Sequence, residues 1–250
     1  MKALERPNYG LDAPTVVRNL LVIGVALVTS NIVFRLVRTG SGTRAVMANG
    51  LWGGTAMIAT ALLMIWASRV GKIRLVERVV GGLGLRGDEQ VLDVGCGHGL
   101  MLIAVARRLT AGRVTGVDIW SQRDQANNSA AATLRNAELE GVVERLEVRD
   151  GDARSLPFAD ASFDAVVSNL VIHNIPSRLE RDQALREIAR VLRPGGKVAI
   201  IDLLHARHYG GVLEALGFED VHVSRPNLMF LVPLRVLTAR HGAATGAAHT

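Results

Sequence analysis

The nine residues Val91-Leu92-Asp93-Val94-Gly95-Cys96-Gly97-His98-Gly99 constrain this 250-residue chain more than any other stretch. An apolar run of β type ends in an acid and then in three glycines on alternate positions. Leu100 to Ala106 follows at once, without a polar residue, and reads as the buried face of a helix. Strand, glycine turn and helix in that order let the backbone approach a nucleotide-bearing ligand closely. The spacing selects among such ligands. A dinucleotide fingerprint, G-x-G-x-x-G, needs glycine where this chain has Leu100, which argues against an NAD-linked enzyme.

Asp93-x-Gly95-x-Gly97-x-Gly99, with Cys96 inside it, resembles instead the first motif of class I S-adenosylmethionine-dependent methyltransferases. Arg113–Val117 reads as a second strand, and Asp118 ends it 23 residues after Gly95, followed by Ile119. A carboxylate at that place accepts two hydrogen bonds from ribose hydroxyls at the carboxyl edge of such a sheet. In the family resembled, an Asp followed by a small residue ahead of a Leu-Pro-Phe turn contacts the adenine. The resemblance thus implies that Asp152 accepts from the exocyclic amine and that the Ala153 amide addresses the ring, with Asp150 the neighbouring candidate. Leu185–Leu192, then Arg193-Pro194-Gly195-Gly196-Lys197 and Val198–Ile201, is a second resemblance. It is structural rather than chemical: a helix stopped by Pro-Gly-Gly, a turn, and a fifth strand.

The resemblance runs from Leu75 to Ala239 and points to the group that includes the ubiquinone and menaquinone C-methyltransferases. It implies a Rossmann-like α/β domain with a seven-stranded, mostly parallel sheet whose last strand is antiparallel. It also implies S-adenosyl-L-methionine as cofactor and methyl transfer as the reaction. Enzymes of that group carry a longer insertion around strand 5, whereas here six residues separate Asp202 from Tyr209, so the substrate does not carry over.

Periodicity places the other elements. Arg74–Leu83 reads as a lead-in helix, Gln90–Val94 as strand 1, Leu100–Leu109 and Ser121–Leu139 as the next helices, and Leu146–Arg149 as strand 3. Phe163–Asn169 reads as strand 4, and Asp220–Ser224 with Arg235–Thr238 as an antiparallel edge pair. Between the last two, Leu228–Pro233 is an apolar connection that either packs or dips toward a lipid surface or apolar substrate.

Methyl transfer is an in-line displacement on an activated electrophile, so alignment and exclusion of water supply most of the acceleration. A base is needed only where the nucleophile arrives protonated. Acceptor residues therefore belong at the carboxyl ends of strands 4 and 5. Asn169 is placed to touch the methionine part of the cofactor. His173 is the candidate general base and a candidate acceptor contact, or else a packed wall residue. His205, His208 and Tyr209 are candidate acceptor contacts. The spacing of Asp202, His205 and His208 also suits metal ligation, but with no HExxH pattern and no cysteine cluster no metal is expected. The Asn/Asp-Pro-Pro-Tyr/Phe pattern of enzymes that methylate planar nitrogens is absent. Cys96, the single cysteine, excludes an internal disulfide and argues against arsenite methylation.

The chain changes character near residue 70. Ala45–Ser68 gives 24 uncharged residues with Trp52 and Trp66, flanked by Arg44 and Arg69, long enough to span a hydrocarbon core. Asn19–Phe34 gives a weaker run of 16 between Arg18 and Arg35. These lengths favour a membrane-associated helical hairpin over a pair of buried core helices. The expected organisation is residues 1–70 as that hairpin, 71–241 as the methyltransferase domain and 242–250 as a disordered tail. Basic residues before the first run and after the second put both ends of the hairpin, and the catalytic domain, on the cytoplasmic side. Arg35, Arg38 and Arg44 in the connection oppose that topology.

A formal charge of +6 suits anionic lipid headgroups, and no basic run with interleaved aromatics points to nucleic acid. The expected activity is transfer of a methyl group to an apolar or amphipathic small molecule such as a quinone, lipid or secondary metabolite. The alternatives are a soluble acceptor, or a cofactor-binding membrane scaffold without turnover.

Overall fold

A computed structural model describes residues 5–37, 44–121, 128–227 and 233–242. The chain divides into two compact units, residues 11–72 and residues 73–250 together with 1–10.

The smaller unit holds α1 (Pro14–Val37), α2 (Arg44–Trp66) and a π-helical turn, Ala67–Gly71. The two helices meet through glycine. A Cβ on Gly24 would lie 2.9 Å from the Gly54 carbonyl oxygen, and one on Gly54 would lie 2.8 Å from the Gly24 carbonyl oxygen. Such close backbone approach is the small-residue crossing frequent between helices in lipid. Among the described residues much of the outer surface is apolar, with Val22 63% and Trp52 76% exposed. Pro14–Phe34 and Gly50–Gly82 are long and apolar enough to cross a membrane, and only 17% of each window is buried. At the base of the unit Lys72 Nζ donates to Asp12 Oδ1 at 2.8 Å, and the Asp12 amide donates to Ser68 Oγ at 3.2 Å.

The larger unit opens with α3 (Lys72–Gly82) and continues β1 (Gln90–Val94), α4 (Leu100–Ala106), β2 (Arg113–Asp118), α5 (Ala130–Leu139), β3 (Leu146–Asp150) and β4 (Phe163–Asn169). It ends α6 (Arg178–Val191), β5 (Leu192–Asp202), α7 (Ala206–Ala215), β6 (Phe218–Val223) and β7 (Arg235–His241). The strands form one seven-stranded sheet in the order β3-β2-β1-β4-β5-β7-β6. β1 through β5 pair in parallel, while β7 runs antiparallel to both β5 and β6. Alternate residues of each strand feed two apolar clusters. Val91, Val114 and Val167 pack with Val80 and Ile103, whereas Leu92, Val117 and Val166 pack with Leu185, Ile188 and Leu213. The sheet is thus buried on both faces, as parallel sheets require.

Three boundaries differ most from the sequence reading. The helix expected over Ser121–Leu139 begins at Ala130, where Ser129 Oγ accepts from the Ala132 amide at 3.3 Å; residues 122–127 lie outside the described residues. The helix expected from Leu185 begins two turns earlier, at Arg178. Its first turns are highly charged, but Arg181 is buried and its Nη1 donates to the carbonyls of Ile175 (2.7 Å) and Pro176 (2.9 Å). Arg193-Pro194-Gly195-Gly196 does not precede strand 5 but lies inside it. Phe163 pairs with Leu192 and Ala165 with Lys197, so these residues bulge out, with Gly195 at φ +80°. The apolar connection 228–233 and the tail fall almost wholly outside the described residues.

Candidate active site

The turn after β1 is shaped by its glycines. Gly95, Gly97 and Gly99 have φ of +74°, +50° and +83°, where side chains are disfavoured. At Gly95 there is no room either, since a Cβ would lie 2.2 Å from Val171 Cγ2. The Gly95 and Cys96 amides both donate to the Val117 carbonyl, at 2.8 and 3.1 Å. Two side chains of α5 hold the far side of the turn. Thr133 Oγ1 donates to the Gly97 carbonyl, and Asn136 Nδ2 donates to the His98 carbonyl at 2.9 Å.

Asp118, at the end of β2, is buried and already engaged. Its Oδ2 accepts from the Gly97 amide (2.8 Å), and its Oδ1 from the Trp120 amide (2.7 Å) and Asn128 Nδ2 (3.1 Å). Next to it Ile119 is 63% exposed and offers an apolar face. Trp120 takes φ +56°, and its indole donates to Asp150 Oδ1 at 2.6 Å. Past β3, Asp152 forms an ion pair with Arg154 at 2.6 Å, which holds its carboxyl below the usual range. Ala153 packs beside it against the apolar core.

Asp93 is the unbalanced group. It is fully buried, with neither carboxylate oxygen in close hydrogen-bonding geometry and only the Leu102 amide of α4 offsetting the burial. Burial, reinforced by the charge of Asp118, pushes its carboxyl up to about 8. The same burial, with Asp93 and Asp118 nearby, pushes the Cys96 thiol well up. Gly116 leaves the space this thiol fills.

Across the sheet edge, β4 ends at Asn169 and the chain turns through Leu170 at φ +59°. A short 3-10 turn, Ile172–Asn174, presents His173. Asp202, fully buried at the end of β5, grips that residue twice. Its Oδ2 accepts from the His173 amide at 3.0 Å and its Oδ1 bonds the ring Nδ1. The Leu203 amide donates to Oδ1 at 2.8 Å. Tyr209 is fully buried close to Asp202, and both burial and that charge hold its hydroxyl protonated. His205 is held below the usual histidine range by burial and by Arg181, so it stays neutral near pH 7. His208 turns away: its Nε2 bonds Asp182 Oδ1 at 2.6 Å and Arg178 approaches its Nδ1 at 3.4 Å.

The sequence reading weighed Asp202 only as a partner of His205 and His208. Its bond to His173, 29 positions away, was missed, as were Thr133 and Asn136 behind the glycine turn. The one available signal for Asp202 is an acid at the carboxyl end of a parallel strand.

Residues 92–200 match the model of a methyltransferase domain. Over these residues, from β1 into β5, the chain carries a methyltransferase domain. It is 37% identical over 131 residues to 27-O-demethylrifamycin SV methyltransferase of Amycolatopsis mediterranei (strain S699), covering 52% of this chain and 44% of that protein. It is 35% identical over 127 residues to demethylmenaquinone methyltransferase of Staphylococcus aureus (strain MRSA252), covering 50% of this chain and 48% of that one. The chain spans about half the length of these curated relatives. The crystal structure of the [4+2]-cyclase SpnF shares the fold, with a TM-score of 0.58 and 24% identity over 71% of this chain and 84% of that one.

The residues present fit the cofactor. The buried Asp93 carboxyl, kept protonated by burial and by the charge of Asp118, is a place where a nearby cation favours ionisation, and S-adenosylmethionine carries a sulfonium and an ammonium. The positive-φ glycines leave the backbone bare where the ligand approaches.

Proposed function

We propose that this chain is a membrane-anchored methyltransferase that modifies a hydroxyl-bearing, apolar or amphipathic small molecule such as a quinol, a lipid or a secondary metabolite. The observation that carries this reading is the His173–Asp202 pair beside the glycine turn. Asp202 occupies Nδ1 of His173 and leaves Nε2 as the nitrogen able to take a proton from the acceptor.

When bound, S-adenosylmethionine supplies a methyl group already activated on sulfur. The protein supplies position and a dry site. Asp93, Gly95, Cys96, Gly97 and Gly99 line the methionine side, with Asn169 at the end of β4. Asp118 and Ile119 take the ribose, and Asp152 with Ala153 takes the adenine. A carboxylate accepts about four hydrogen bonds, and Asp118 already accepts three. Two ribose hydroxyls there therefore displace one of its present donors. His205 and Tyr209 border the acceptor beside His173, with His208 farther out on α7. The hairpin's exposed apolar side chains and helix lengths support attachment to a membrane, where hydrophobic acceptors dissolve; in this reading the catalytic unit faces the cytoplasm.

The test uses the full chain in liposomes containing bacterial lipid extract, with methyl-labelled cofactor. Label recovered in an organic-extractable, hydroxyl-derived product supports the reading. Label transferred only to water-soluble acceptors, or release of the protein from membranes by salt alone, contradicts it.

A further inference from the structure

Residues 5–10 precede the hairpin in sequence yet belong to the catalytic unit, docked along α5. Glu5 takes both Nε (3.1 Å) and Nη2 of Arg135. The Asn8 amide donates to Asn136 Oδ1 at 2.9 Å, and Asn136 Nδ2 donates back to the Asn8 carbonyl at 2.9 Å. Tyr9 packs its ring on the core, and its hydroxyl donates to Glu140 Oε1 at 3.0 Å, which itself pairs with Arg107.

Asn136 is where this strap meets the site. The same Nδ2 that holds the Asn8 carbonyl holds the His98 carbonyl at 2.9 Å, inside the glycine turn. Asn136 is 5% exposed and its bond to the His98 carbonyl is buried, so losing that bond leaves a buried polar group unmatched, whereas the bonds to Asn8 are partly buried. One turn away on α5, Thr133 bonds the Gly97 carbonyl. Glu5, Asn8 and Tyr9 thus bear on the turn through α5.

We propose that residues 5–10 form a clasp that sets the conformation of the cofactor turn through Asn136, making Asn136 a positioning residue for the cofactor. The inference rests on the reading of the site as an S-adenosylmethionine site.

The test measures S-adenosylhomocysteine affinity by calorimetry on the full chain in detergent, with melting temperature as the folding control. Glu5→Ala/Tyr9→Ala removes anchors of the clasp and is expected to weaken binding about tenfold, the worth of the one buried bond, Asn136 to the His98 carbonyl, that the clasp supports. Should that variant not fold, Glu5→Ala/Tyr9→Phe keeps the packed ring and is expected to show a smaller loss of the same sign. Asn136→Ala should weaken binding at least as much, and adding the clasp substitutions to it should change little further, because the link is already cut. Faster amide exchange at Gly97–Gly99 in the clasp variants is the structural signature. Unchanged affinity in a folded clasp variant, or losses that add fully to that of Asn136→Ala, overturns the proposal. A wild-type chain that binds no S-adenosylhomocysteine overturns the site reading itself.

Discussion

The site has two sides that are built by different means. On the β1–β2 side, backbone shape does the work: three glycines at positive φ, two amides on one carbonyl, and a carboxylate that ties down the turn. On the β4–β5 side the groups that matter are side chains, His173 and Asp202, brought together from 29 positions apart. A backbone that must be bare leaves glycines at fixed spacing, which is legible in one dimension. A side-chain pair leaves only two ordinary residues.

Four substitutions sharpen this contrast. The largest effect is expected at Gly95→Ala, where the added Cβ meets Val171 and φ is +74°. Strain and overpacking together should cost about 2–4 kcal/mol, and calorimetry should find no binding of S-adenosylhomocysteine. Adding Val171→Ala relieves the clash but not the torsion, so rescue should be partial. Next, Asp118→Ala should weaken cofactor binding by about 1–3 kcal/mol through lost charged hydrogen bonds. Wild-type affinity in this variant would detach Asp118 from the ribose.

The third concerns pH. An unfolded Asp titrates near 4 (about 3.9), whereas buried Asp93 in the folded, cofactor-free protein holds its proton up to about 8. The folded state thus binds more protons in that window. The stability linked to protonated Asp93 is complete below about 4 and is lost as pH rises through about 8. Asp93→Asn removes this slope, so melting curves of the two proteins should diverge in favour of the variant as pH rises. Parallel curves would show that Asp93 is already matched. The smallest effect belongs to Ser129→Ala, which uncaps α5 and should cost about 1 kcal/mol in urea denaturation. Cofactor affinity should stay within about twofold if the cap supports the fold rather than the turn.

Much of the fold could be read from residue patterns. β1 and β4 fall where expected because apolar strands bounded by turn residues have few alternatives, and Asp118 closes β2 on schedule. The first two turns of α6 could not be read, since their stability comes from Arg181, a charged residue whose burial depends on carbonyls it meets only after folding. Arg193-Pro194-Gly195-Gly196 signals a chain reversal but not that the reversal bulges from within a strand. Residues 5–10 carry no periodicity, and their place on α5 depends on pairings 128 to 131 positions long. On the acceptor side His173 is a candidate from its position after a strand, while its orientation comes from Asp202, whose place at the end of β5 marks an acid but not its partner 29 positions away.

The division of labour between the two sides is tested most directly by measuring cofactor affinity and turnover on the same variant, His173→Ala, in the full chain. Turnover should fall about a hundredfold or more, the usual worth of a positioned base, while S-adenosylhomocysteine affinity stays within about twofold. A variant that loses cofactor binding in step with turnover, or that keeps its turnover, would contradict the assignment of His173 to the acceptor.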